Sequence, residues 1–259
     1  MFSDSRLRTI SRTRSEGIPC MRILLTNDDG IHADGLERLA RVAVSFGEVW
    51  IVAPAEERSA ASHSVTLRHP LDVYPIYDYP VEGVKAFSCS GMPADCVRVG
   101  SLNVMPEKPD VVMSGINKGY NMASDIQYSA TAGAAFEAAF QGYHPIAVSE
   151  GFSGVHEVTD RYLEEILAKI INVPVPAGHI HNVNFPDCRL SECKGILYDR
   201  KVSPWMYYKD HYNEIEKLEN GGIRYMIEGV PTMYAEEGSD FKALLDNYVS
   251  VGIVNNIGY

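Results

Sequence analysis

Apolar and polar positions along this chain follow two periods that take turns. Residues 21–26 (MRILLT) form a short apolar run closed by the turn cluster Asn27-Asp28-Asp29-Gly30, and Leu36, Leu39, Ala40 and Ala43 then recur at helical spacing. Residues 48–53 (EVWIVA) are a second apolar run, stopped by Pro54. Strand, loop, helix and strand in that order make a βαβ unit, which predicts a parallel sheet with a right-handed crossover and cover on both faces.

A polar loop over 56–64 precedes two stretches, 67–77 and 85–89, that alternate loosely as strands of a meander or edge hairpin. Residues 93–102 carry a helical pattern with Pro93 in its first turn. Residues 110–114 (DVVMS) read as a further central strand that opens into an Asn- and Gly-rich loop over 115–121. Small residues predict a helix over 132–141, with Ser129 or Thr131 as its cap, and 146–149, 159–171 and 181–185 read as strand, helix and strand. This alternation places the fold in the α/β class, as a doubly wound, mostly parallel, Rossmann-like sheet.

From Cys188 onward the texture changes. Tyr198, Trp205, Tyr207, Tyr208, Tyr212 and Tyr225 are scattered among charges, which predicts an extended C-terminal arm or hairpin, packed on another subunit or folded back on its own domain. The expected division is a disordered N-terminal extension over 1–20, an α/β catalytic domain over 21–190, and an arm, hairpin and final helix-strand over 191–259 that serves oligomerisation as a homodimer or homotetramer.

Composition narrows the partners. A net charge of −11 argues against wrapping a nucleic-acid polymer or lying on an anionic membrane, so any phosphate chemistry must recruit positive charge locally. No apolar run approaches the ~18 residues of a membrane span. Five cysteines without a C-x-x-C pair suit reduced thiols in a cytoplasmic chain. Residues 1–20 hold four Arg and four Ser but lack the apolar stretch of a secretory signal.

Ligands of open parallel sheets bind beyond the carboxyl ends of the strands, so polar residues there are the candidates. They are Asp28 and Asp29 after the first strand, Arg58 and Ser59 after the second, and Ser114, Asn117 and Asn121 after a later one. Two adjacent carboxylates repel each other unless a cation lies between them. Hydroxyl and amide oxygens as companions suit Mg²⁺, Mn²⁺ or Ca²⁺ rather than zinc. Taken alone, Asp-Asp-Gly is also an ordinary solvated turn. Gly119, Ser129, Ala130, Thr131 and Gly133 make a small, hydroxyl-bearing stretch before a helix, able to face a phosphate or simply to cap that helix. The eight histidines share no metal-ligand spacing, and Cys89 and Cys96 lack a C-x5-R phosphatase loop, so core packing accounts for them.

Residues 23–30 (ILLTNDDG), Ala53-Pro54, Arg58-Ser59, residues 110–117 (DVVMSGIN), residues 128–131 (YSAT), residues 182–186 (NVNFP) and residues 237–241 (EGSDF) together resemble the SurE family of survival proteins. The resemblance runs from about residue 21 to residue 250. It implies a metal-dependent nucleotidase that hydrolyses nucleoside 5'- and 3'-monophosphates, with some activity on short polyphosphate. It also implies one divalent ion per subunit, Mg²⁺ or Mn²⁺ with Ca²⁺ able to occupy the site, on Asp28, Asp29, Ser59 and Asn117. Asn121, Ser129 and Thr131 fall on the phosphate side. Two departures accompany the match: Ala130 stands where the family usually has Gly, and Glu137-Ala138 where it commonly has Glu-Gly. If position 130 needs a positive φ, an Ala there costs on the order of 1 kcal/mol.

Asp28 or Asp29 is then the group that orients or deprotonates the attacking water. Two rival readings use the same acidic pair. A phosphoaspartyl phosphatase would make one Asp a nucleophile, although such enzymes want D-x-D spacing. A receiver-like Mg²⁺-binding phosphoacceptor needs about half this length and has no use for the Asn117 to Asn121 junction.

Overall fold

The computed structural model describes residues 21–255; the extension expected over 1–20 lies outside the described residues. Strand β1 (Met21–Thr26) has two apolar faces and buries both. Ile23 and Leu25 enter the core on one side of the sheet and Leu24 enters the core on the other, all fully buried. Helix α1 (Asp34–Ala43) covers the first side through Leu36, Leu39, Ala40 and Ala43. Its first turn lies so close to the sheet that a Cβ on Gly35 would stand 2.1 Å from the carbonyl oxygen of Ile116, so only glycine fits there.

The chain continues through β2 (Gly47–Pro54), β3 (Val73–Ile76), β4 (Val84–Cys89), α2 (Pro93–Val99), a π-helical turn (Gly100–Val104), β5 (Val111–Lys118), a 3₁₀ turn (Ala123–Gln127), α3 (Ala130–Phe140), β6 (His144–Glu150), α4 (Glu157–Ile170) and β7 (His179–Phe185). Then follow β8 (Ile196–Leu197), β9 (Tyr208–Lys217), a 3₁₀ turn (Glu219–Gly221), β10 (Ile223–Pro231), α5 (Asp240–Leu245) and β11 (Val249–Asn255). The main sheet has nine strands in the order β3-β4-β2-β1-β5-β6-β7-β11-β8. Its centre, from β4 to β7, is parallel throughout, while β3 and β11 run antiparallel to their inner neighbours. Helices α1 and α4 bury against one face, α2 and α3 against the other. The chain is thus the doubly wound, mostly parallel α/β fold its periodicity predicts.

Two elements depart furthest from their predicted bounds. Of the expected strand over 67–77 only β3 pairs, because the residues before it lie largely exposed, with no apolar face to bury. Strand β5 runs past Ser114 to Lys118, so Asn117 and Lys118 are strand residues opposite Ser149 and Glu150. A register shift between Ser114 and Asn117 absorbs Gly115, and burial of Ile116 (2% exposed) keeps the segment on the sheet.

The C-terminal segment divides. Strands β9 and β10 pair only with each other as a hairpin, the arm expected from the aromatic texture. Strands β8 and β11 return to the main sheet, with Ser250 opposite Asn184.

The sheet order creates a switch point. From β1 the chain winds outward to β2 and β4 on one side, then returns to β5, β6 and β7 on the other. Loops leaving the carboxyl ends of β1 and β5 therefore diverge and leave a crevice between them.

Candidate active site

The turn after β1 is closed by Asn27, whose Nδ2 donates to the Gly30 carbonyl at 2.8 Å. The Ile31 N–H donates to the Pro54 carbonyl at 2.8 Å and fastens this turn to the end of β2. Asp28 and Asp29 are thereby presented at the switch point. Asp28 is nearly inaccessible, at 4% exposure, and its Oδ1 accepts a hydrogen bond from the Thr131 hydroxyl at the start of α3. Asp29 is half-buried, and its Oδ2 accepts the Lys118 N–H at 3.2 Å.

Both acids are harder to ionise than usual. Burial pushes Asp28 up to about 7, against the pull of the Thr131 hydrogen bond and with the neighbouring Asp29 adding to the rise. Burial also raises Asp29, opposed by the Lys118 N–H and reinforced by Glu57. Glu57 was not among the residues picked out from the sequence. Its position two residues before Ser59 in the same loop is the signal that could have found it.

The other predicted residues come from three segments, of which the loop of Arg58 bonds to the pair directly. The Arg58 N–H donates to the Asp28 carbonyl at 2.7 Å, which brings the loop of Ser59 to the turn. Ser59 itself is exposed, and its hydroxyl donates to Glu57 Oε1 at 2.6 Å. Asn117, at the end of β5, donates through Nδ2 to the Gly119 carbonyl at 2.8 Å, which leaves its amide oxygen as an acceptor. Asn121 belongs to a neighbouring network: its N–H donates to Asn184 Oδ1 at 2.8 Å and its Nδ2 to Ser149 Oγ at 2.7 Å. Ser129 is the cap of α3, its Oγ accepting the Ala132 N–H at 2.9 Å.

Ala130 is the first residue of α3 and is absent from the residues with positive φ. The strain that a left-handed backbone would have imposed there does not arise.

The loop after β2 is pinned to α3 at a second place. Ser62 N–H donates to the Tyr128 carbonyl at 3.0 Å and Ser62 Oγ to the Gln127 carbonyl at 2.6 Å. A Cβ on Gly133 would stand 2.6 Å from the Ser62 carbonyl oxygen, so this helix must offer glycine where the loop crosses it. One turn on, the Glu137 carboxylate is met by His63 Nε2 at 2.9 Å, Arg98 Nε at 2.8 Å and Gln141 Nε2 at 2.8 Å. Burial would raise its pKa, but these three bonds outweigh burial and hold it down at about 2. The clamp was missed in the sequence. The signal was there all the same, because Glu137 is the only charged residue of α3.

The residues fit a hard divalent cation. Among the described residues no three His, Cys, Asp or Glu side chains are grouped to hold a metal ion, so a cation here would need neutral oxygens beside the two carboxylates. The Asn117 amide oxygen and the Ser59 hydroxyl are such donors. Asn27 Oδ1, fully buried next to Asp28, has no hydrogen-bond partner. Two carboxyls raised by burial and by neighbouring acids are the arrangement a cation relieves. A larger cavity of about 310 Å³, lined by Arg22, Trp50 and Glu107, lies at the opposite end of the strands, away from this chemistry.

Comparison with known proteins agrees with the architecture and extends it. Residues 23–206 match the family described as Survival protein SurE. A protein of Mesorhizobium japonicum named 5'-nucleotidase SurE is 38% identical over 245 residues, covering 89% of this chain and 92% of that protein. One of Allorhizobium ampelinum with the same name is 39% identical over 240 residues, covering 89% and 90%. The crystal structure of the SurE protein from Aquifex aeolicus superimposes with a TM-score of 0.76 at 34% identity, covering 90% of this chain and 93% of that one. A family match over residues 23–206, relatives 38–39% identical over 89% of the chain and a solved SurE fold that superimposes on 90% of it lead to one conclusion: the chain belongs to the SurE family.

Proposed function

We propose that this chain is a divalent-metal-dependent phosphatase that hydrolyses nucleoside 5'-monophosphates to nucleoside and phosphate. The observation that carries the reading is the buried pair Asp28 and Asp29 at the switch point, with Thr131 on one carboxylate and the Lys118 N–H on the other. Substrate class and the 5' position rest on the relatives, which are named 5'-nucleotidase. Cleavage of 3'-esters and of short polyphosphate belongs to the same proposal and rests on the family resemblance.

Asp28, Asp29, Ser59 and Asn117 would hold one Mg²⁺ or Mn²⁺, with Ca²⁺ able to occupy the same oxygens. When bound, such an ion supplies positive charge against the phosphoryl oxygens. The remaining work falls to the chain. Asp29 keeps one oxygen free of the Lys118 N–H and opens to the crevice, so it orients the attacking water and takes its proton. The water oxygen bonds to phosphorus, the ester P–O bond breaks, and that proton passes to the leaving nucleoside oxygen. Thr131 holds Asp28 in place, while Asn121 and Ser129 would serve the phosphate side, an assignment that rests on the family resemblance.

The same reading makes the chain a cytoplasmic homodimer or homotetramer joined through its arm. Four free cysteines among the described residues suit a reducing compartment. The hairpin leaves Tyr212, Tyr225, Met226 and Ile227 more than half exposed, which favours a partner surface. None of the described helices is long and apolar enough to cross a membrane.

The test is a phosphate-release panel over nucleoside 5'- and 3'-monophosphates and tripolyphosphate, with Mg²⁺, Mn²⁺ or EDTA. Release from 5'-monophosphates that EDTA abolishes supports the reading. No release from any nucleotide in either metal contradicts it, and a phosphoenzyme trapped by acid quench would replace direct water attack by a covalent route.

A further inference from the structure

Beside the acidic pair the crevice deepens into a cavity of about 210 Å³. Asp29 forms one wall, and the others are Asp34 from α1, Ile116 and Lys118 from β5, Glu150 from the end of β6, and His156 before α4. Whole small-molecule ligands fill roughly 300–1,000 Å³, so this space takes part of one. Its connection to Asp29 means that the part is joined to the reacting phosphate.

Most charges around the cavity are already engaged. Behind its wall Arg38 bridges Glu150 at 2.6 Å and Asp160 at 2.6 Å. His156 Nδ1 faces Glu150 Oε1 at 2.9 Å, and the Thr159 hydroxyl donates to Glu150 Oε2 at 2.6 Å. Among the described residues the Lys118 ammonium has no ion pair, and Asp34 is not closely held either. Its side chain is 70% exposed, with Arg38 Nη1 at 3.8 Å and His156 Nε2 at 3.9 Å, both beyond hydrogen-bond reach. It is a carboxylate with lone pairs to offer. The wall sets the carboxylates of Asp29, Asp34 and Glu150 against the single ammonium of Lys118, so acids outnumber the lysine and a phosphate chain is a poor occupant. A neutral group rich in hydroxyl donors is a good one.

Resting on the nucleotidase reading above, we infer that this cavity is the sugar subsite, in which Asp34 accepts hydrogen bonds from the hydroxyls of a ribonucleoside monophosphate. A site built to bond a hydroxyl rejects the analogue that lacks it, because the carboxylate then loses its partner. Asp34 is therefore a specificity residue for ribose. It acts on the leaving group, and the phosphoryl chemistry is carried by Asp28 and Asp29.

The test is the ratio of kcat/KM for AMP to that for p-nitrophenyl phosphate, which has no sugar, in the full chain with Mn²⁺. The ratio is measured for wild type, Asp34→Ala and Asp34→Asn, with dAMP alongside. The ratio for AMP is expected to fall about tenfold in Asp34→Ala, through KM, and less in Asp34→Asn, whose amide oxygen still accepts a hydrogen bond. Wild type is expected to prefer AMP to dAMP, and Asp34→Ala to lose that preference. An unchanged ratio in both variants overturns the subsite, since a purely structural role lowers both substrates together. Wild type that cleaves p-nitrophenyl phosphate but no nucleotide overturns the nucleotidase reading instead.

Discussion

Asp28 is the residue on which most of the proposed chemistry converges, and its burial makes its behaviour measurable. Between its ordinary 3.8 and its folded value of about 7 the carboxyl keeps a proton in the metal-free protein that the unfolded chain releases. The folded state binds more protons in that window, so this contribution to stability is fully present below 3.8 and is lost as pH rises through about 7. In EDTA, the melting temperature should therefore decline between about pH 5 and about pH 8 by more in wild type than in Asp28→Asn. Equal declines would show that Asp28 is not the buried acid described. Protons and a cation compete for the same oxygens, so Mn²⁺ affinity should rise with pH up to about 7 and level off above it. Thr131→Val keeps the shape of α3 but removes the hydroxyl from Asp28. A hydrogen bond to a charged group is worth about 1.5–3 kcal/mol, so kcat/KM should fall roughly 10- to 100-fold in steady-state assays.

Helix α3 links two parts of the site. Thr131 near its start touches Asp28, and Glu137 further along grips His63 of the loop that carries Ser59. Glu137→Ala would leave Arg98, His63 and Gln141 without their shared acceptor. Loss of this partly buried network is expected to cost about 1–3 kcal/mol in urea unfolding and to lower kcat/KM as the loop loosens. Wild-type kcat/KM in that variant would show that the loop holds its place without the clamp. The elements themselves were legible to different degrees. Helices α1 and α4 and the strands β1, β2 and β6 have apolar positions at one clear period each, and they fold where that period says. Strand β5 hid its last residues because Gly115 and Asn117 look like turn residues, and only burial of Ile116 against the sheet makes them strand. The clamp hid for another reason, since His63 lies 74 residues from Glu137 and no local pattern joins the two. The place of Asp28 and Asp29 at the carboxyl end of β1 was legible because strand ends are legible. Lys118 enters through a tertiary contact alone.

At the scale of the molecule the hairpin stands apart. Its base is closed by the Thr232 N–H donating to the Tyr207 carbonyl at 2.7 Å, and its strands pair with no other. Replacing residues 208–231 by a short Gly-Ser linker should leave the nine-stranded sheet folded while lowering the mass in multi-angle light scattering. An unchanged mass would exclude the hairpin as the subunit contact. The aromatic texture pointed to an arm, but its geometry was not readable, because exposed strands lack the alternation that burial imposes.

The account as a whole stands on the acidic pair holding a cation without which the phosphoester is not cleaved. Titrating Mn²⁺ into metal-stripped protein while following phosphate release from AMP tests that directly. The prediction is no release without the ion, saturation near about one ion per chain, and no recovery in Asp29→Asn that remains folded by circular dichroism. Undiminished release in EDTA, or wild-type activation of Asp29→Asn, would contradict it.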